Sequence, residues 1–324
     1  MKLAVPDLIT NSYFPAVAAA ELGFFAREGL DVTVELVAPA DRTYRALRDG
    51  EADFVVAESH AGLAAFPEWA GMKLLCSISQ GMYWFLVVRA DLAGERGDLS
   101  CLRGRRIAAA PWVEMGLRGL LAAAGMDVER DGIRIAPLEN SLGAKVNIGV
   151  AVARALAEGR VDGFWANGMG AEMAVRSGAG RVVLDVRRGD GPPDAFGYTQ
   201  PTLAASDRLI AAQPDACAGA VRAIAATLAA LQADPDLSTF VGRRVFPEAE
   251  AGMIAELVRR DLPFYDPAIS PRFVSSMNRF ARAMGVLDGD PPYEAVVATQ
   301  FAPLWRDVAT DGVSRARELA DAAR

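Results

Sequence analysis

Glu58 and Glu114 each follow an apolar run, Phe54-Val55-Val56-Ala57 and Ile107-Ala108-Ala109-Ala110. A carboxylate at the end of a buried strand can neutralise an amine or accept N–H groups from a small molecule, although Glu114 reads equally well as a solvated loop residue. Trp112 and Trp165 stand in the same region, where an indole either stacks on a flat ligand or fills a core. Asn11-Ser12 and Ser59 precede helical patterns, so their side chains and backbone N–H groups serve either a ligand or an N-cap. Tyr13 is a cleft residue or a core aromatic. No Arg or Lys accompanies these residues except Arg118, one turn into the next helix, and a polyanion would require bidentate Arg or a donor-rich nest. The chemistry implied is recognition of a neutral or cationic, partly aromatic molecule.

Catalytic chemistry has little material. His60 is the sole imidazole, so a serine-hydrolase triad or a His-rich metal centre has little to draw on, and capping or packing accounts for it. Cys76, Cys101 and Cys217 lie far apart without metal-ligand spacing and read as buried free thiols. The expected cofactor set is empty.

These residues must be held by a βα framework. Lys2–Val5 predicts a strand, 16–27 a helix closed by Glu28-Gly29, 30–37 an alternating strand, 41–49 a helix ending at Gly50, and 53–57 a strand. After a Gly-, Asp- and Arg-rich loop, 91–104, a second series repeats the plan. Strands are predicted at 105–110, 133–138, 161–165 and 181–186, and helices at 115–124, 150–158 and 169–176. Short parallel strands joined by helices bind ligands at their carboxyl ends. Two β runs, 81–89 and 195–204, read as crossovers between the series, with Tyr83, Trp84, Tyr198 and Gln200 lining the back of a cleft and Phe264-Tyr265 covering an edge. From Ser206 onward the pattern is helical, broken by prolines.

With 324 residues, 52% of them hydrophobic, the chain supports two lobes. The division expected is 1–88 plus 199–324 for lobe I, with a helical C-terminal extension, and 89–198 for lobe II. A net charge of −7 without a long basic run argues against a nucleic-acid or anionic-membrane partner. Pro6-Asp7 interrupts the apolar start, so neither a signal peptide nor a membrane span is read here and no membrane insertion is expected.

Two segments carry a resemblance. Gly23-Phe24-Phe25-Ala26-Arg27-Glu28-Gly29-Leu30-Asp31-Val32 is followed by Ala46-Leu47-Arg48-Asp49-Gly50-Glu51-Ala52-Asp53-Phe54, and Ala155-Leu156-Ala157-Glu158-Gly159-Arg160-Val161-Asp162-Gly163 echoes the second in the other series. Over residues 1–205 the chain resembles bacterial ABC-transporter solute-binding proteins of the NMT1/THI5-like group, which covers thiamine-pyrimidine precursor and alkanesulfonate binders. The resemblance implies a type II periplasmic-binding-protein α/β fold of two lobes joined by two hinge strands. It further implies hinge closure on a small molecule, and an ABC permease and ATPase as partners. Location would be periplasmic if a leader was removed, cytoplasmic if Met1 is the native start. The alternative is a cytoplasmic enzyme or sensor on the same fold, such as a pyrimidine-precursor synthase using His60. Those enzymes carry a Cys-rich segment and a lysine-bound pyridoxal phosphate, whereas this chain lacks the segment and has no Lys near His60. The ligand-binding set expected is Asn11, Ser12, Tyr13, Glu58, Ser59, His60, Tyr83, Trp84, Trp112, Glu114, Trp165, Asn167, Tyr198 and Gln200.

Overall fold

The structure, a computed structural model, describes residues 1–139 and 147–306. The last part of the expected C-terminal extension, 307–324, lies outside them. β1 (Lys2–Val5) is buried after its first residue. α1 (Phe14–Glu21) and α2 (Phe24–Arg27) stand where the sequence predicts one helix. Gly23 separates them with a left-handed backbone at φ +72°, a conformation open to glycine without steric cost. β2 (Thr33–Leu36), α3 (Ala40–Asp49), β3 (Phe54–Glu58) and β4 (Met72–Ser77) complete the first series.

The chain then crosses to β5 (Phe85–Arg89) and runs through β6 (Arg106–Ala109), α4 (Val113–Ala123), β7 (Arg134–Ala136), α5 (Ile148–Ala157), β8 (Gly163–Ala166), α6 (Gly168–Arg176) and β9 (Gly180–Asp185). It returns to β10 (Pro201–Ser206) and continues as α7 (Asp207–Ala212), α8 (Pro214–Ala233), α9 (Leu237–Val245), α10 (Glu248–Asp261), α11 (Pro271–Ala283) and α12 (Tyr293–Val296).

Two five-stranded sheets result, ordered β2-β1-β3-β10-β4 and β7-β6-β8-β5-β9. They share one plan. Three parallel strands are followed by an antiparallel strand, β10 or β5, supplied by a crossing segment and hydrogen-bonded on both sides. Each antiparallel strand shifts register against its outer neighbour, at Leu203/Ala204 and at Leu86/Val87.

The crossings themselves depart from expectation. Residues 81–84 and 195–200 are not strand, and Pro193–Gly197 is a tight 3-10 turn. Between the sheets these residues have no ladder to join. Their amides bond one by one instead, as Met82 N–H does to the Phe196 carbonyl of the other crossing at 3.0 Å and Tyr198 N–H to that of Ala195 at 3.2 Å.

α8 is long and apolar enough to cross a membrane, but 61% of its apolar stretch is buried inside the protein, where it packs on α1 and α2 as a core helix.

The N-termini of α5 and α6 are pressed together. A Cβ on Gly170 would sit 2.6 Å from the Gly149 carbonyl oxygen, and one on Gly149 would sit 2.5 Å from Asn167 Oδ1. Gly252, in the exposed face of α10, has nothing within 4 Å of its missing Cβ. Urea unfolding therefore separates the two glycines: Gly170→Ala lowers stability by about 1–3 kcal/mol through overpacking, whereas Gly252→Ala raises it by about 0.5–1 kcal/mol.

Candidate functional site

The carboxyl ends of the parallel strands from both sheets meet around one cleft of about 500 Å³, counting its open mouth. Pro6, Asp7 and Thr10 follow β1, and Glu58 ends β3. Ala110, Pro111 and Val113 follow β6, while Trp165, Ala166 and Asn167 end or follow β8. Tyr13, Pro39, Ala40, Tyr83, Trp84 and Ile148 complete the wall. Arg and Lys are absent from this lining among the described residues.

Its inner wall is aromatic. Tyr13 meets Tyr83 edge-on at 5.9 Å between ring centroids, Tyr83 lies 4.9 Å from Trp84, and Trp84 lies 6.1 Å from Trp165. The series runs from the first lobe through the crossing segment into the second. Trp165 is held by a bond from its indole N–H to the Val113 carbonyl at 3.0 Å.

Glu58 closes the inner end at 1% exposure. The Tyr13 hydroxyl donates to Glu58 Oε2 at 2.7 Å and stands 2.7 Å from the Tyr83 hydroxyl. Each hydroxyl carries one hydrogen, so with Tyr13 committed to Glu58, Tyr83 donates to Tyr13 and both dipoles point toward the carboxylate. Glu58 Oε1 has no partner. Burial raises the Glu58 pKa to about 7, against the lowering effect of the Tyr13 hydrogen bond.

A carboxyl whose folded pKa lies above its unfolded value contributes full stability below the unfolded pKa and loses it as pH rises through the folded one. Ionising Glu58 thus costs the fold about 3 kcal/mol between pH 4.5 and 7, a cost that a bound cation would offset.

Asp7, half-buried after β1, the strand beside β3, has its pKa raised to about 7, chiefly by burial. Asn147 Nδ2 donates to its Oδ1 at 2.8 Å, Asn167 Nδ2 to its Oδ2 at 3.0 Å, and Ile9 N–H to Oδ1 at 3.0 Å. Both asparagines are helix caps. Asn147 Oδ1 accepts from Val150 N–H at 2.8 Å and Asn167 Oδ1 from Gly170 N–H at 3.1 Å. Because those oxygens must face the backbone N–H groups, the amide nitrogens must face Asp7.

Of the residues singled out from sequence, Tyr13, Glu58, Tyr83, Trp84, Trp165 and Asn167 line this cleft. The others do not. Asn11 Nδ2 bonds the Asp261 carboxylate within a buried polar cluster beside Arg187, and Ser12 is buried next to it. Ser59 Oγ donates to the Gln200 carbonyl at 2.6 Å, tying β3 to the returning crossing. Gln200 is itself buried, its Nε2 unpaired.

His60 has both ring nitrogens engaged, Nδ1 with Thr199 Oγ1 at 3.0 Å and Nε2 with the Trp112 carbonyl at 3.1 Å. Burial lowers its pKa to about 4. Trp112 adopts φ +69°, a left-handed conformation strained for a bulky side chain. Glu114 sits in the first turn of α4 and pairs with Arg118 at 2.8 Å, one helical turn on.

Tyr198 stacks on Phe280, 4.5 Å between centroids, in a separate groove between α4 and α11. Phe264 lies under the Arg187 guanidinium at 5.1 Å, and Tyr265 is buried, so neither covers the cleft edge.

Asp7, Thr10, Pro39 and Ile148 are lining residues that the sequence reading passed over. Asp7 carries much the same signal as Glu58, a carboxylate just after an apolar strand, but with Pro6 between the two it presents itself in sequence as a break in the apolar start.

A model of the NMT1/THI5-like family matches residues 10–238. No curated protein matches the chain. Among solved structures, the alkanesulfonate-binding protein SsuA from Xanthomonas axonopodis pv. citri bound to MOPS is similar at 16% identity and TM-score 0.68, covering 91% of this chain and 97% of that one. The periplasmic nitrate-binding protein NrtA from Synechocystis PCC 6803 is similar at 15% identity and TM-score 0.66, covering 99% and 88%. The desulfurization enzyme DszB is similar at 16% identity and TM-score 0.60, covering 100% and 99%. At such identities the likeness is one of fold, the two-lobe α/β fold of periplasmic binding proteins, and that fold carries both binding components and an enzyme. With the family model spanning well over half of its length, the chain belongs to the NMT1/THI5-like family.

Proposed function

We propose that this protein is a solute-binding protein that closes on a small, neutral or cationic, partly aromatic molecule and passes it unchanged to an ABC importer. In this reading, residues 1–88 with the chain from 199 onward form one body and 89–198 the other, hinged at the two crossings. The observation that carries the reading is Glu58 Oε1, a buried acceptor without a partner on the wall of an aromatic cleft that has no Arg or Lys in its lining among the described residues. SsuA and NrtA are named for anions; a sulfonate or nitrate placed here would meet Glu58 and Asp7 with no cationic side chain among the described lining residues to compensate.

The enzymatic alternative has less support. His60 is outside the lining with both nitrogens occupied, and burial raises the pKa of Cys217 to about 11 and of Cys76 further, which disfavours a thiolate.

A thermal-shift screen of aromatic amines, amidines, sulfonates and carboxylates tests the proposal. An amine or amidine stabilises the protein by about 2.7 kcal/mol at a hundredfold excess over Kd, and mass spectrometry recovers it unchanged. Glu58→Gln weakens its binding by about ten- to a hundredfold. Full affinity in that variant, or product formation lost in His60→Ala, sinks the reading.

Proton linkage gives a second check. Glu58 is largely protonated at about pH 6, so a cation that binds beside it displaces about one proton per ligand. Calorimetry in buffers of different ionisation enthalpy reads this as proton release, with affinity rising through pH 6–7; Glu58→Gln lowers the release by about that one proton, leaving what Asp7 contributes.

A further inference from the structure

We propose that Asp7 determines specificity by occupying, with the chain's own carboxylate, an anion position formed by the caps of α5 and α6. Helix N-termini attract anions because their first N–H groups are unpaired and the helix dipole is positive there. In this fold the N-termini of two helices from the second lobe converge on one point at the cleft. Gly149 and Gly170 permit that approach, since a Cβ on either would collide with the other helix's terminus. The cap side chains extend the convergence outward: Asn147 and Asn167 each accept from their own helix and turn one N–H group onto Asp7, at 2.8 and 3.0 Å, one to each oxygen.

Asp7 comes from the other lobe, in the loop after β1, and its position is fixed by Ile9 N–H. The geometry is that of a bound carboxylate, with an internal group in place of a solute. On the same lining, buried Glu58 Oε1 lacks a partner, which points to a ligand that brings donors, not acceptors. Filling the anion position from within serves this choice twice. It satisfies the two caps when the lobes close, and it sets a carboxyl's oxygens where an anionic ligand would otherwise enter.

This assignment rests on the cleft being the binding site proposed above, but its test needs no knowledge of the natural ligand. The probes are sodium sulfate and sodium methanesulfonate, each against sodium chloride at matched ionic strength, read by thermal shift and isothermal titration calorimetry. The wild-type protein shows no saturable response to either probe. Asp7→Ala and Asp7→Ser, which vacate the position to different extents, gain saturable binding at least tenfold tighter than any wild-type signal. Adding Asn167→Ala to the vacated variant removes that gain.

Equal melting in sulfate and chloride for both vacated variants overturns the proposal. So does a wild-type response as strong as theirs, or a gain that survives loss of Asn167. Amine-induced stabilisation of the wild type, measured alongside, reports on the preceding reading. Its failure leaves the anion result interpretable, because the vacated variants are compared with the wild type on anions alone.

Discussion

Each crossing of the chain ends as an antiparallel strand inserted next to the outermost position of the sheet it enters, and the architecture depends on that insertion. β5 and β10 are bonded on both flanks, so neither crossing is a loose tether. Interior strands cannot be withdrawn without breaking two ladders, and any relative movement of the lobes must therefore be absorbed in the non-strand segments between them. The same insertion brings the carboxyl ends of both parallel sets to one cleft, where strand ends, helix caps and an aromatic wall converge.

The electrostatics of the cleft follow from what those strand ends carry. Glu58 and Asp7 face a largely apolar enclosure, and burial outweighs their hydrogen bonds enough to lift both pKa values to about 7. The two carboxyls differ in what they lack. Asp7 has donors on both oxygens, whereas Glu58 has one oxygen served by Tyr13 and the other by nothing. Side by side at the ends of adjacent strands, the first is bonded across to the caps of α5 and α6, while the second keeps one oxygen without a partner in the chain.

Much of this was legible in the residues. Helices ending in glycine between short apolar runs gave away the βα alternation, and Glu58 could be picked out as a strand-end carboxylate. The crossings were overread because 81–84 and 195–200 have the apolar, aromatic composition of strands, yet a strand exists only where a neighbour offers a ladder. Glu114 looked like Glu58 in sequence but falls within a helix, where Arg118 at the next turn takes its charge. Ser59, His60 and Gln200 were beyond reach for another reason. Their partners lie in segments brought together by the return of the chain, Ser59 and Gln200 being 141 residues apart. Asp7 follows an apolar strand as Glu58 does, but Pro6 stands between and makes the pair look like a break in an apolar start.

The backbone at Trp112 has a mechanical consequence. Its left-handed conformation is costly for a large side chain, and its carbonyl accepts from His60 Nε2 in the opposite lobe. Any separation of the halves would have to break that contact. An imidazole from one half thus latches a costly torsion in the other.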